Sequence, residues 1–274
     1  MGVGHQNKKV GAIIQARYDS SRLPGKVLFN LPFHSEETVL SQIIKRLRSC
    51  NFLDHIIVAT SDQKDDDPLE KEALRCGADI FRGSKDNVLD RYCKAAEKFK
   101  IDEIFRVTGD NPILLTDIMR RLLNTHISEN NDFTYTTFLP LGTGSSLVNT
   151  HALLNSMKHN PDTEEKEHVT LFIKRRKEEM FKVQAVEFTK EDKSDIRLTL
   201  DYPSDYGLLN IVVSHLNYYT DYGLNEVMTL FKANPWMKEI NYNNYQKKQF
   251  TSLQEEKDEA KRVLQSMGFQ NLIQ

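Results

Sequence analysis

Between residues 10 and 107 the chain repeats one unit, a short and continuously apolar run followed by a stretch with apolar residues at helical spacing. Runs without polar alternation belong to strands buried on both faces, and strands joined by helices lie parallel. The pattern therefore calls for an α/β fold with a mainly parallel central sheet flanked by helices. Residues 10–14 (Val-Gly-Ala-Ile-Ile) read as the first strand, and Val39, Leu40, Ile43, Ile44 and Leu47 mark a helical stripe. Residues 55–59 read as the second strand. In the next helix, Asp67 is expected at the N-cap, Pro68 at the first helical position and Gly77 at the stop. Residues 80–81 form a short third strand, Val88, Leu89, Tyr92, Ala95, Ala96 and Phe99 a helix, and residues 103–107 a fourth strand running into the turn Thr108-Gly109-Asp110-Asn111-Pro112.

Beyond this turn the regularity weakens. Residues 132–137 suggest a strand, 139–146 a loop rich in Gly and Ser, 164–177 a helix, and 181–187 and 196–200 further strands, with Tyr202-Pro203 opening a helix. Residues 252–267 are charged with sparse apolar positions, as in a peripheral helix or partner contact. The expected division is an N-terminal tail over 1–9, one domain over 10–235 and a polar helical extension over 236–274.

The 274 residues, 39% hydrophobic and 28% charged, suffice for a full core. A formal net charge of -2 gives no global drive toward nucleic acid or an anionic membrane, so any anion must be bound by a local cluster. Cys50, Cys76 and Cys93 are widely spaced, which fits reduced thiols, and the eight His residues lack zinc-ligand spacing. No apolar run approaches the roughly 20 residues of a membrane-spanning helix, and the start lacks the apolar core of a secretory signal. A cytoplasmic location is the expectation.

Residues 15–26, Gln-Ala-Arg-Tyr-Asp-Ser-Ser-Arg-Leu-Pro-Gly-Lys, carry Arg17, Arg22 and Lys26 directly after the first strand. Charge count alone allows a solvated basic loop, but ligands of open α/β sheets bind outside the carboxyl ends of strands, and three cations there suit a polyphosphate. Asp110 follows the fourth strand at the same edge, and Asp201 ends the run 196–200. Magnesium is commonly held by one or two carboxylates plus substrate phosphates, so the two aspartates are candidate ligands. Asp201 can equally be the cap of the helix beginning at Pro203. Arg106 lies within a strand, where an unpaired buried charge is costly, and so requires a carboxylate or phosphate partner. Arg91 reads as a surface ion-pair partner or a ligand contact, and a lone His168 as structural or ligand-facing.

Five segments, Arg17 to Lys26, Arg106 to Pro112, Val88-Leu89-Asp90-Arg91-Tyr92, Glu167-His168-Val169-Thr170 and Leu198 to Asp205, resemble one family. Over about residues 10–220 the chain is similar to the SpsF-like, spore-coat-polysaccharide type of cytidylyltransferase, related to the synthetases of CMP-activated sialic, pseudaminic and Kdo sugars. The resemblance implies a Rossmann-like nucleotidyltransferase fold of the nucleotide-diphospho-sugar transferase type. It also implies a reaction in which a sugar hydroxyl attacks the α-phosphate of CTP, pyrophosphate leaves and Mg2+ assists. By the same resemblance Arg17 and Lys26, assisted by Arg22, hold the triphosphate, and Asp110 and Asp201 hold the metal. The cytosine lies against the backbone near Ala16, Ser84 and Asp86 line the nucleotide side, and Arg91, Arg106 and His168 face the acceptor. A homodimer, with residues 139–174 as the acceptor and interface segment, and a role in cell-surface polysaccharide synthesis complete the expectation.

The family commonly carries Pro-x-Gly-Leu-Asp-x-Glu where this chain has Pro140-Leu141-Gly142-Thr143-Gly144-Ser145-Ser146, so Gly144 and Ser146 replace the acidic positions. A loop of Gly142, Gly144 and Ser146 offers backbone donors and can receive an anion. The acceptor is therefore expected to be acidic: a 2-keto-3-deoxy sugar, another acid or a phosphorylated polyol. A non-catalytic nucleotide- or sugar-binding protein and a glycosyltransferase using a nucleotide sugar are the alternatives, although the segment Arg22 to Lys26 favours a free triphosphate.

Overall fold

A single seven-stranded sheet in the order β3-β2-β1-β4-β6-β5-β7 organises the computed structural model, which describes residues 8–191, 193, 195–217, 221–244 and 253–266. Its strands are β1 (Val10–Gln15), β2 (His55–Ser61), β3 (Asp79–Gly83), β4 (Glu103–Thr108), β5 (Phe133–Thr137), β6 (Ser146–Asn149) and β7 (Val183–Glu187). β1 pairs in parallel with β2 and β4, and β2 with β3. β6 alone runs antiparallel to its neighbours β4 and β5, while β5 and β7 are again parallel. The mainly parallel α/β architecture read from the sequence is thus present, of Rossmann-like type.

Helices cover both faces. Val10, Ala12 and Ile14 point into one core with α1 (Val39–Arg48), α2 (Asp67–Arg75), α4 (Thr116–Ser128), α8 (Pro203–Leu216) and α9 (Leu224–Ala233). Ile13 and Ile104 point into the other with α3 (Val88–Phe99), α5 (Thr150–Lys158) and α7 (Leu171–Arg175). The strand alternation that sends successive side chains to opposite faces, with both faces apolar, is why β1 reads as one continuous hydrophobic run. The short α6 (Thr163–Glu167) and the charged α10 (Leu253–Ser266) complete the described elements. At the amino end of β4 the fully buried Glu103 receives Lys8 Nζ at 2.6 Å and Asn149 Nδ2 at 3.1 Å, and lies 2.9 Å from His126 Nε2. This joins β4, β6 and α4 at the edge away from the β1 loop.

Several local expectations change. α2 begins at Asp67 itself, with Asp66 at the cap position. Asp66 uses its carboxylate to hold Tyr18 and Ser61 rather than to cap the helix. The helix expected over 164–177 is broken at His168-Val169-Thr170 into α6 and α7, and Val169 at the break is fully buried in the core. Residues 196–200 are extended but form no strand ladder. Leu141 N donates to Ile196 O and Leu198 N to Leu141 O, each at 2.7 Å, so loop backbone takes the place of a neighbouring strand. Ser146, expected in a loop, starts β6. Of the expected terminal segments, residues 1–7, 245–252 and 267–274 lie outside the described residues.

Candidate active site at the carboxyl edge of the sheet

β1 leads to β2 and β3 on one side while β4 lies on its other side, so the crevice at their carboxyl ends is the switch point of the sheet, where ligands of such folds bind. Gln15 and Thr108 are in register there. Gly109 N donates to Gln15 O at 2.8 Å. A Cβ on Gly109 would come within 2.9 Å of the Ala16 Cβ and 3.2 Å of Gln15 O, so only glycine lets the two loops meet. The β1 loop is tied down on its far side as well. Buried Asp66 accepts from Tyr18 N at 2.7 Å and Ser61 N at 3.0 Å, and from the Ser61 hydroxyl. Burial alone would raise the Asp66 carboxyl, but these hydrogen bonds outweigh it and hold the group below the ordinary carboxylate value.

The returning end of the loop turns Lys26 inward, where it is only 6% exposed. Its ammonium donates to Leu200 O at 2.5 Å, Asp110 Oδ2 at 2.9 Å and Asp201 Oδ1 at 2.9 Å, which satisfies its three donors. Arg22 adds a contact of 2.7 Å to the same Oδ1, and Arg197 donates to Asp201 Oδ2 at 2.9 Å. Burial would raise Asp201, but the hydrogen bond from Lys26 and the charges of Lys26, Arg22 and Arg197 hold it below the ordinary carboxylate value. Asp201 therefore reaches pH 7 as an anion. It is not the cap of α8: Tyr202 occupies that position, and Asp205 supplies the acceptor.

Behind Asp201 stands a second buried carboxylate. Asp205 accepts from Arg197 Nε at 2.9 Å, from the backbone N–H groups of Asp201 at 2.9 Å and Tyr202 at 3.0 Å, and from Asn241 and Asn244, each at 2.8 Å. Leu200 N donates to Asp110 O at 2.8 Å, fastening the two aspartate-bearing loops together. Gly142 supports this segment from outside: at φ 94° it lies where an added Cβ would be 2.7 Å from the Leu198 and Thr199 backbone. Sequence reasoning assigned no role to Arg197, Asp205 or Asp66. Asp205 ends the Leu198–Asp205 segment and Arg197 precedes it, whereas Asp66, after β2, carries no motif spacing.

The remaining candidates are spread around this knot. Arg17 is partly buried and makes no ion pair among the described residues. Arg91 is fully buried rather than on the surface. Its Nη1 donates to Ser84 O at 2.9 Å, while Nε and Nη2 are buried without a partner among the described residues. Burial lowers its pKa from the ordinary guanidinium value. Ser84 Oγ accepts from Asn87 N at 3.0 Å, and Asp86 is exposed. His168 closes α6 at the break before α7. Arg106 pairs in register with Ser146, where the β4–β6 ladder ends. Past that point the chains diverge around a cavity of about 70 Å³ whose polar lining is Arg106, Thr108, Asn111, Gly144, Ser145 and Ser146. Arg106 Nε and Asn111 Oδ1 are buried there without a hydrogen-bond partner among the described residues.

Among the described residues no group of three or more His, Cys, Asp or Glu converges on one point, but a metal shared with a substrate needs fewer protein ligands. Asp110 and Asp201 are hard oxygen donors held on one ammonium, and only Oδ2 of the 29%-exposed Asp110 is engaged. Hard carboxylate donors of this kind are chemically suited to magnesium.

The family model for cytidylyltransferases matches residues 11–265. The spore coat polysaccharide biosynthesis protein SpsF of Bacillus subtilis is 34% identical over 229 residues, 81% of this chain and 94% of that protein. Among solved structures, a cytidylyltransferase from Leptospira borgpetersenii superposes with a TM-score of 0.77 at 27% identity, covering 88% of this chain and 100% of that one. The synthetase of CMP-2-keto-3-deoxy-manno-octonic acid, solved with CTP, shares the fold at TM-score 0.60 and 15% identity, over 76% of this chain and 99% of its own. With a family match across nearly its whole length and a basic loop closed on two aspartates at the sheet's switch point, the chain belongs to the cytidylyltransferase family.

Proposed function

We propose that the protein transfers CMP from CTP to an acidic sugar or related acceptor, with magnesium, releasing pyrophosphate. The observation that carries this reading is the ion-pair knot of Lys26 with Asp110 and Asp201, on the same loop as an Arg17 that pairs with no carboxylate among the described residues. The cations serve a triphosphate and the carboxylates a metal, and each set is held in position by the other before substrate arrives. Preorganised charge of this kind is what phosphoryl transfer chiefly requires.

In the reaction an acceptor hydroxyl attacks the α-phosphorus of CTP, the bond to the bridging oxygen breaks, and pyrophosphate leaves with the electron pair while the hydroxyl proton passes to solvent. Arg17, Lys26 and Arg22 bind phosphate oxygens, the first and third through forked guanidinium contacts. Asp110 and Asp201 hold the magnesium, which neutralises phosphate charge when bound. The backbone at Ala16, with Ser84 and Asp86, borders the nucleoside. Arg91, Arg106, Gly142, Gly144, Ser146 and His168 border the acceptor. Residues 139–174 form the acceptor and interface segment of a homodimer. The polysaccharide role named for the Bacillus relative extends to this chain, acting in the cytoplasm. Among the described residues no helix is long and apolar enough to cross a membrane.

Incubation with each nucleoside triphosphate, Mg2+ and a panel of acidic sugars tests the reading through pyrophosphate release. Release with CTP, abolished by Asp110→Ala and Lys26→Ala, is expected. Tight CTP binding without release under any acceptor would identify a binding protein instead, and turnover of a nucleotide sugar a glycosyltransferase.

A further inference from the structure

Arg106 lies on the face of β4 that it shares with Ile104 and Thr108, and its cross-strand partner is Ser146, whose partner on β5 is Tyr135. The three side chains form one row on one face of the sheet. α7 places Lys174 over this row, with Nζ 5.0 Å from the Tyr135 ring centroid and 5.6 Å from that of Phe133. The two rings stack at 5.4 Å.

Among the described residues neither Arg106 nor Lys174 makes an ion pair, and the nearest polar contact of the Arg106 guanidinium is Gln15 Oε1 at 3.4 Å. Arg106 Nε is buried without a hydrogen-bond partner among the described residues. Burial and then the charge of Arg106 hold the Lys174 ammonium below its ordinary pKa, and a weaker pull from the exposed Glu255 opposes them. Two partly buried like charges on one face of the sheet, with no carboxylate among the described residues in an ion pair with either, are unfavourable unless a ligand supplies the countercharge. The knot at Lys26 is the contrast within the same molecule, since there every engaged cation has its aspartate.

From this pair we infer that Arg106 and Lys174 form a seat for a dianionic phosphomonoester on the acceptor, so that the molecule activated is a sugar or polyol phosphate. A monocarboxylate would neutralise one cation and leave the other unpaired. A phosphate dianion meets both, its oxygens matching the guanidinium fork of Arg106 and the point charge of Lys174, with the Ser146 and Thr108 hydroxyls beside them. Tyr135 stacked beneath Lys174 keeps its ammonium in place. The inference rests on the cytidylyltransferase reading for the reaction but not for the anion seat, which binds independently of turnover.

The test is calorimetric titration of the magnesium-loaded protein with ribitol 5-phosphate, ribonate and ribitol, with and without the α,β-methylene analogue of CTP. Ribitol 5-phosphate is expected to bind at least about tenfold tighter than ribonate, with inorganic phosphate competing. Arg106→Gln and Lys174→Gln each lose about tenfold or more of that affinity, while Arg106→Lys and Lys174→Arg retain part of it. All four keep the nucleotide analogue within about twofold of wild type, which also reports a folded site. Equal or tighter binding of ribonate, absence of ribitol 5-phosphate binding, unchanged affinity in both Gln variants, or a parallel loss of the nucleotide analogue overturns the assignment. Failure of the wild type to bind the nucleotide analogue counts against the cytidylyltransferase reading alone.

Discussion

Leu200 donates its backbone N–H to the carbonyl oxygen of Asp110 at 2.8 Å. This bond joins the turn after β4 to the segment before α8, and the next residue, Asp201, thereby arrives beside Asp110 with Lys26 between them. The two carboxylates are brought together by backbone geometry first and by charge second. The segment carrying Asp201 needs no ladder of its own, because the turns around Asp110 and Leu141 supply its partners.

Replacing Asp201 with Asn leaves Lys26, Arg22 and Arg197 without the carboxylate they share. CTP-dependent pyrophosphate release is expected to fall by about a hundredfold or more. The magnesium concentration for half-maximal rate should rise in the same variant, measured by metal titration at saturating CTP.

Asp205→Asn probes positioning rather than contact with substrate. An amide would turn its own donor toward the Arg197, Asn241 and Asn244 donors, at an expected cost of about 2 kcal/mol in urea unfolding. Because Asp201 then loses its bracing, the magnesium requirement should also rise, while CTP affinity stays within about twofold. An unchanged magnesium requirement would reduce Asp205 to a purely structural role.

Gly142→Ala should destabilise the protein by more than about 1 kcal/mol, because φ 94° and backbone atoms at 2.7 Å leave no room for a Cβ. Gly144, whose added Cβ would meet only Thr136 Oγ1 at 3.2 Å, should accept alanine with little change. Paired denaturation curves distinguish the two.

Acid sensitivity has a defined sign. In Asp66, Glu103 and Asp201 burial raises the pKa, but hydrogen bonds from Ser61 and Tyr18, from His126 and Lys8, and from Lys26 respectively win and lower it. Each group binds its proton more weakly folded than unfolded, so its contribution is fully present above the unfolded carboxylate value of about 4 and is lost as pH falls through the lower folded value. The urea midpoint should therefore hold from pH 7 to about pH 5 and drop below pH 4. Glu103→Gln should flatten that drop.

The first half of the fold was legible because β1, β2 and β4 are largely buried on both faces and are separated by well-patterned helices. The β1 loop and Asp110 were legible as a pair because each follows such a strand. β6 was not, since a four-residue strand beginning at Ser146 after Gly144 lacks the composition of a strand and exists through its pairing with β4 and β5. The expected ladder over 196–200 failed for the converse reason: its apolar alternation reflects burial of Ile196, Leu198 and Leu200, while its backbone partners are loops. Asp205 lay within a segment that resembles the family, but its role did not show, because that role comes from the N–H donors that the fold gathers around it.

The reversal of β6 sets how the molecule can diversify. Strands that run with β1 reach the reactive edge only at their carboxyl ends, but β6 starts at that edge and finishes at the far one, beside Glu103. The connection from β5 into β6 is thus a hairpin loop held at both stems by sheet, with the Arg17–Lys26 segment outside it. Descendants of such a chain can shorten, lengthen or recompose that hairpin while the parallel strands and the Arg17–Lys26 segment beside them are inherited intact.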